Sequence, residues 1–146
     1  MEIKELREVG QRCRPDGDAY DVFSSLVGPN AWQDGAWCGN QMSSARVRVE
    51  EGGHVIEGCL MIIQTSEAVS KGKKLNVGVL SSFSYIEVLA AGEHSVRICD
   101  GETGESTELH TGKQFGLGCG TVEVRGFAAL LLLGTSRRNA SIQIAN

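Results

Sequence analysis

A chain of 146 residues, 41% of them apolar, is the size of one domain and can close one hydrophobic core, which excludes a multidomain organisation. Its 14 basic and 18 acidic residues leave a formal net charge of -4, with the basic ones scattered rather than striped, so nucleic acid is excluded as a partner. The longest apolar run, Phe127 to Leu133, is far too short to cross a bilayer, and the opening MEIKELREVGQRCRPDGD lacks the apolar centre of a secretion signal; a soluble, cytoplasmic protein without a membrane partner is expected.

Ile3, Leu6 and Val9 recur at helical spacing and predict a short first helix. Ala19, Val22, Phe23, Leu26 and Val27 predict a second, with Asp18 as N-cap and Gly28-Pro29 as the stop. The stretch from Pro29 to Ser44 shows neither helical nor strand period and reads as irregular. It holds Trp32 and Trp37, which must be buried either against the wall of the following β domain or as a lid over its mouth. Residues 1–44 are therefore read as a helical and irregular N-terminal extension, and 45–146 as a β domain.

From Ala45 onward the period is two. Strands are predicted over Ala45–Glu50, His54–Ile63, Leu75–Leu80, Phe83–Leu89, His94–Cys99, Thr107–His110, Lys113–Leu117, Thr121–Arg125, Phe127–Leu133 and Ser141–Ala145, most of them separated by glycine-bearing turns. No helical pattern intervenes, so the fold class is all-β, a sandwich or closed barrel rather than a parallel α/β sheet. Phe127–Leu133 is apolar throughout and should be a central strand covered on both faces. Leu60, Met61, Ile62 and Ile63 are consecutive apolar residues, more than one sheet face buries, and they predict a homo-oligomer. Glu102, Glu105 and Glu108 in CDGETGESTELH predict an exposed acidic hairpin loop.

The five cysteines, Cys13, Cys38, Cys59, Cys99 and Cys119, are odd in number and form no C-x-x-C pair, so neither a zinc site nor a disulfide frame is indicated. Cys59 and Cys99 sit in strand patterns as small apolar side chains, whereas Cys119, between two glycines in a turn, is kept as a candidate. Gly116-Leu117-Gly118-Cys119-Gly120 lacks the sixth glycine and following helix of a dinucleotide loop, and reads as a β corner.

Two stretches carry further information in their glycine spacing. Gly72 is followed by Gly78, Leu80, Tyr85 and Gly92 at the spacing G-x5-H-x-H-x4-E-x6-G, and Gly112 by Gly118, Gly120 and Glu123 at the spacing G-x5-P-x-G-x2-H. In this spacing, and in its strand pattern, the chain resembles the cupin superfamily. The resemblance implies a jelly-roll barrel behind the N-terminal helical extension, with a small-molecule pocket in the barrel interior. It also implies that no metal or other cofactor is held, because Gly78, Leu80 and Tyr85 replace the usual ligands and Glu123 alone can coordinate. His54, His94 and His110 form no ligand pair, and only His110, beside the second motif, is retained as a site candidate.

If the alignment holds, Glu123 points into the barrel and Tyr85 faces the same cavity, where desolvation would fit the carboxyl for proton transfer with His110 as a third group. A one-residue slip in register puts Glu123 in solvent instead. Trp32, Trp37, Leu80 and Cys119 are the candidate ligand-contact residues. The leading expectation is a metal-free, small-molecule-binding protein. The alternatives are a metal-free enzyme, an isomerase, lyase or nucleoside phosphorylase using Glu123, Tyr85 and His110, and a structural or assembly protein with a filled barrel.

Overall fold

The computed structural model describes residues 1–14, 19–28, 30–37, 40–64, 74–78, 83–117, 121–134 and 141–145; of these, 33–37, 40–42, 64, 74–78 and 141–145 are described by their backbone alone. Two helices, α1 (Ile3–Arg12) and α2 (Ala19–Val27), precede the strands β1 (Gln33–Trp37), β2 (Asn40–Glu51), β3 (His54–Gln64), β4 (Lys74–Gly78), β5 (Tyr85–Ala91), β6 (Val96–Cys99), β7 (Ser106–Glu108), β8 (Gln114–Gly116), β9 (Thr121–Val124), β10 (Ala128–Leu133) and β11 (Ser141–Ala145). The protein is mostly β, as its period-two pattern predicts. The strands form one sheet in the order β1-β2-β3-β10-β5-β8 and a second in the order β11-β4-β9-β6-β7, and all the strand pairs are antiparallel. Among the described residues no strand pair joins one sheet to the other, so the sheets face each other without closing into a barrel.

β10 decides how the layers stack. All six of its residues, Ala128 to Leu133, are buried, and it lies between β3 and β5 as the sequence leads one to expect of a wholly apolar strand. Because successive side chains point to opposite faces, Ala128, Leu130 and Leu132 enter the core between the two sheets, while Ala129, Leu131 and Leu133 enter a second core beneath the helices. The run in β3 divides the same way: Met61 and Ile63 pack between the sheets, Leu60 and Ile62 beneath the helices. The consecutive apolar residues Leu60 to Ile63 that suggest an oligomer are therefore buried within one chain, while Val55 of the same strand is 61% exposed.

Each helix buries the stripe its spacing predicts. α1 sets Ile3, Leu6 and Val9 on the sheet, and α2 sets Ala19 and Phe23 there; Gly28 closes α2 at φ +87, with its N–H bonded to the Ser24 carbonyl. The contact between α1 and β5 is close enough that a Cβ on Gly10 would overlap the carbonyl of Leu89. The chain start is tied down as well, since the Glu50 N–H donates to the Met1 carbonyl at 2.7 Å.

One segment departs from expectation. Part of the stretch 29–44 is strand rather than irregular chain: β1 pairs with the start of β2 from Gln33↔Ser44 to Trp37↔Asn40, so the sheet begins well before Ala45. Cross-strand pairing supplies the order that alternation did not show, because QDGAW and NQMSS carry few apolar residues to mark a buried face. The acidic hairpin is where the sequence places it. Between β6 and β7 the Asp100 carboxylate accepts from the N–H groups of Glu102 and Thr103, holding the turn open to solvent.

The Gly10 contact yields a test. Gly to Ala in an exposed helix adds up to about 1 kcal/mol of stability. Here Gly10→Ala is expected to lose on the order of 1–3 kcal/mol, because helix and strand must move apart. Urea unfolding checks the sign, and a raised midpoint would contradict the contact.

Candidate functional site

Among the described residues, apolar side chains pack together between the sheets. Met61, Phe83, Ile86, Val88, Leu117, Val122, Val124, Leu130 and Leu132 are among them, all buried. These described side chains form a packed apolar core in the region where the resemblance implies a pocket.

A cavity of about 290 Å³ lies elsewhere, between α1 and the outer edge of β5. Three local features open it. β8 pairs with β5 only over Tyr85↔Gly116, Ile86↔Phe115 and Glu87↔Gln114, because the preceding chain turns away at Thr111-Gly112, with Gly112 at φ +86. β5 itself carries a bulge, since Leu130 pairs with Val88 but Ala129 pairs with Ala90, leaving Leu89 as the extra residue. α1 then roofs the gap with Arg7, Gly10 and Gln11, and Cys13 follows at its end.

An ion pair between a fully buried carboxylate and a partly exposed guanidinium stands at one side of this cleft. Glu87 is 0% exposed, and the Arg7 guanidinium binds it in a two-pronged fork, Nε to Oε2 at 2.8 Å and Nη2 to Oε1 at 2.8 Å. Arg7 Nη2 also lies 3.7 Å from Oε1 of Glu51, whose other oxygen accepts from the Gln114 amide at 3.3 Å. The hydrogen bonds to Glu87 raise the guanidinium's pKa above its ordinary value, outweighing the opposing effect of burial. With 36% of its side chain in solvent, Arg7 joins the buried carboxylate to the cavity mouth. The fork uses Nε and Nη2, and among the described residues Nη1 has no protein partner.

The residues singled out from sequence fall in different places. Glu123 lies between Val122 and Val124, both fully buried in the inter-sheet core, so strand alternation turns it to the outer face of the second sheet, opposite Arg97 and Asn76. The inward placement taken from the glycine motif is corrected by one residue, because the two valines claim the core face. Tyr85 is 51% exposed and alternates with the core residue Ile86, which puts it on the helix-side face of the first sheet. Glu123 and Tyr85 thus occupy the two outer faces and share no cavity. His110 is exposed and directly precedes Thr111 at the cleft's rim.

Trp32 packs on the helix-side core, donates its indole N–H to Ser24 at 2.7 Å and lies 5.2 Å from the Tyr20 ring, which makes it a wall residue anchored to α2. Trp37 is in β1, with only its backbone described; Leu80 and Cys119 lie outside the described residues. Burial pushes the Cys59 thiol up to about 11, so it remains protonated at neutral pH as a small core side chain. Among the described residues no three His, Cys, Asp or Glu side chains come together as a metal-holding group. A second titratable group, His94 between Glu108 at 2.7 Å and Glu93 at 3.4 Å, sits in solvent and braces the turn leading into β6.

Arg7 and Glu87 were not singled out from the sequence. The available signal was a lone carboxylate in the apolar run SYIEVLAA, which alternation alone assigns to solvent. Comparisons with models of protein families, with curated proteins and with solved structures find no match to this chain.

The ion pair makes a mutational prediction. Arg7→Met strands a buried carboxylate and is expected to cost about 3 kcal/mol, the lower end for a buried pair because Arg7 is partly solvated. Adding Glu87→Leu to the same chain should recover most of that loss. Thermal and urea melts of both variants decide it; a single variant as stable as the parent would show that the pair does not hold α1.

Proposed function

We propose that this chain is a non-enzymatic binding protein whose small-ligand site is the cleft between α1 and β5. One observation carries the reading: the cleft is open, about 290 Å³ in volume, and walled by a guanidinium fixed on a buried carboxylate, whereas among the described residues the side chains between the sheets form a packed apolar core. That volume is at the lower end for ligand pockets, which suits a small molecule or a short segment. A metal-free, cupin-like jelly roll in the cytoplasm remains part of the proposal, supported by the two facing antiparallel sheets and by Gly78 and Leu80 at the matched ligand positions. The enzyme alternative lacks such support, since its acid-base groups Glu123 and Tyr85 lie on opposite outer faces.

The filled core also favours a second reading, that of an assembly protein. Among the described residues β11 is an edge strand, and its sequence, SIQIA, contains none of the charges or prolines that usually discourage edge-to-edge pairing. Light scattering at micromolar concentration tests it, with a dimer or larger species expected under that reading and a monomer under the first.

For the cleft itself, amide shifts under a library of small polar fragments should cluster at Gln11, Ala90, Ala91 and Thr111. Thr111→Trp, which puts a bulky side chain at the exposed rim, should abolish them. Absence of any fragment response at those amides would overturn the proposal.

A further inference from the structure

Among the described residues, the two charged side chains that line the cleft, Arg7 and Glu87, cancel one another. Both Glu87 oxygens are held in the Arg7 fork and Glu87 is 0% exposed, so an incoming molecule meets the pair through the guanidinium alone. Glu51, 3.7 Å from the same guanidinium, lies outside the lining and is 41% exposed, where solvent screens it. The wall beside the pair is apolar for a local reason. Strict alternation would send Leu89 and Ala90 to opposite faces of β5, but the bulge turns both toward the helices, while Val88 and Ala91 on either side face the inter-sheet core. Phe127 joins Leu89 and Ala90 on the helix side and also lines the cleft. Arg7 and Gln11 stand one turn apart on α1, and Gly10 adds no side chain between them.

We infer that the cleft binds an uncharged molecule of one ring bearing a carbonyl group, with the ring against Leu89, Ala90 and Phe127 and the carbonyl oxygen accepting from Arg7 Nη1. This rests on the cleft being the ligand site. A cavity of roughly 150 Å³ takes benzene. The cleft, at about 290 Å³, therefore has room for a ring and a small polar substituent. Charge is selected against in both directions. A ligand carboxylate on Nη1 puts two anions on one guanidinium, and a ligand ammonium finds no exposed carboxylate oxygen in the lining. A carbonyl takes an N–H that the fork leaves over and adds no charge. A wholly apolar ring makes no such bond and displaces water from the donor.

The experiment titrates the full chain at neutral pH with four compounds that share one ring, benzamide, benzoate, benzylamine and toluene, followed by amide shifts. Benzamide is expected to perturb Gln11, Ala90 and Thr111, and to bind about tenfold more tightly than each of the other three. Benzoate or benzylamine binding as tightly as benzamide would overturn the inference, since the lining would then not select against charge. Toluene binding as tightly would overturn it too, because the carbonyl would go unread. If fragments of other chemistry occupy the cleft and benzamide does not, this inference fails while the binding reading stands. If no fragment perturbs the cleft, both fail.

Discussion

Two faces of one sheet are buried in this molecule, and nearly every other feature follows from that demand. A strand such as β10, Ala-Ala-Leu-Leu-Leu-Leu, has no polar face to offer water, so a second sheet alone leaves half of it uncovered. α1 and α2 supply the missing layer. Leu60, Ile62, Leu131 and Leu133 are sealed beneath them, each worth roughly 1.5–3 kcal/mol when taken fully out of water. The closeness of that layer shows at Gly10, where only the absence of a side chain lets the helix rest on the Leu89 carbonyl.

Covering the outer face also traps a carboxylate. Glu87 alternates with the core residues Ile86 and Val88, and in a two-layer sandwich it would point to water. Under α1 it does not, and a buried charge must be paired. Arg7 comes from the helix that causes the burial, so one interaction neutralises the carboxylate, sets the helix against β5 and fixes a guanidinium beside the cavity. The same geometry moves the functional question away from the sandwich interior, which is packed with apolar side chains, to the margin between helix and strand edge.

Much of the framework was legible because it depends on local period. The strand cores from His54–Gln64 to Ser141–Ala145, the helix stripe ending at Gly28 and the double burial of Phe127–Leu133 all follow from alternation, spacing and turn residues. β1 was not legible, since its residues show no apolar alternation and its order comes from pairing with β2. The candidate site was less legible still. Glu123 was placed inward by glycine spacing, whereas the valines beside it set the actual face. Arg7 and Glu87 are 80 residues apart and become partners only when α1 lies across β5, a contact that no local pattern encodes.

Native-state hydrogen exchange tests the three-layer account most directly. If α1 is an integral layer pinned by Gly10 and the Arg7–Glu87 fork, its hydrogen-bonded amides and those of β10 exchange only through the same global opening. The account is contradicted if α1 opens independently, at a free energy well below that of β10, because the sheet would then stand without the layer that buries Glu87.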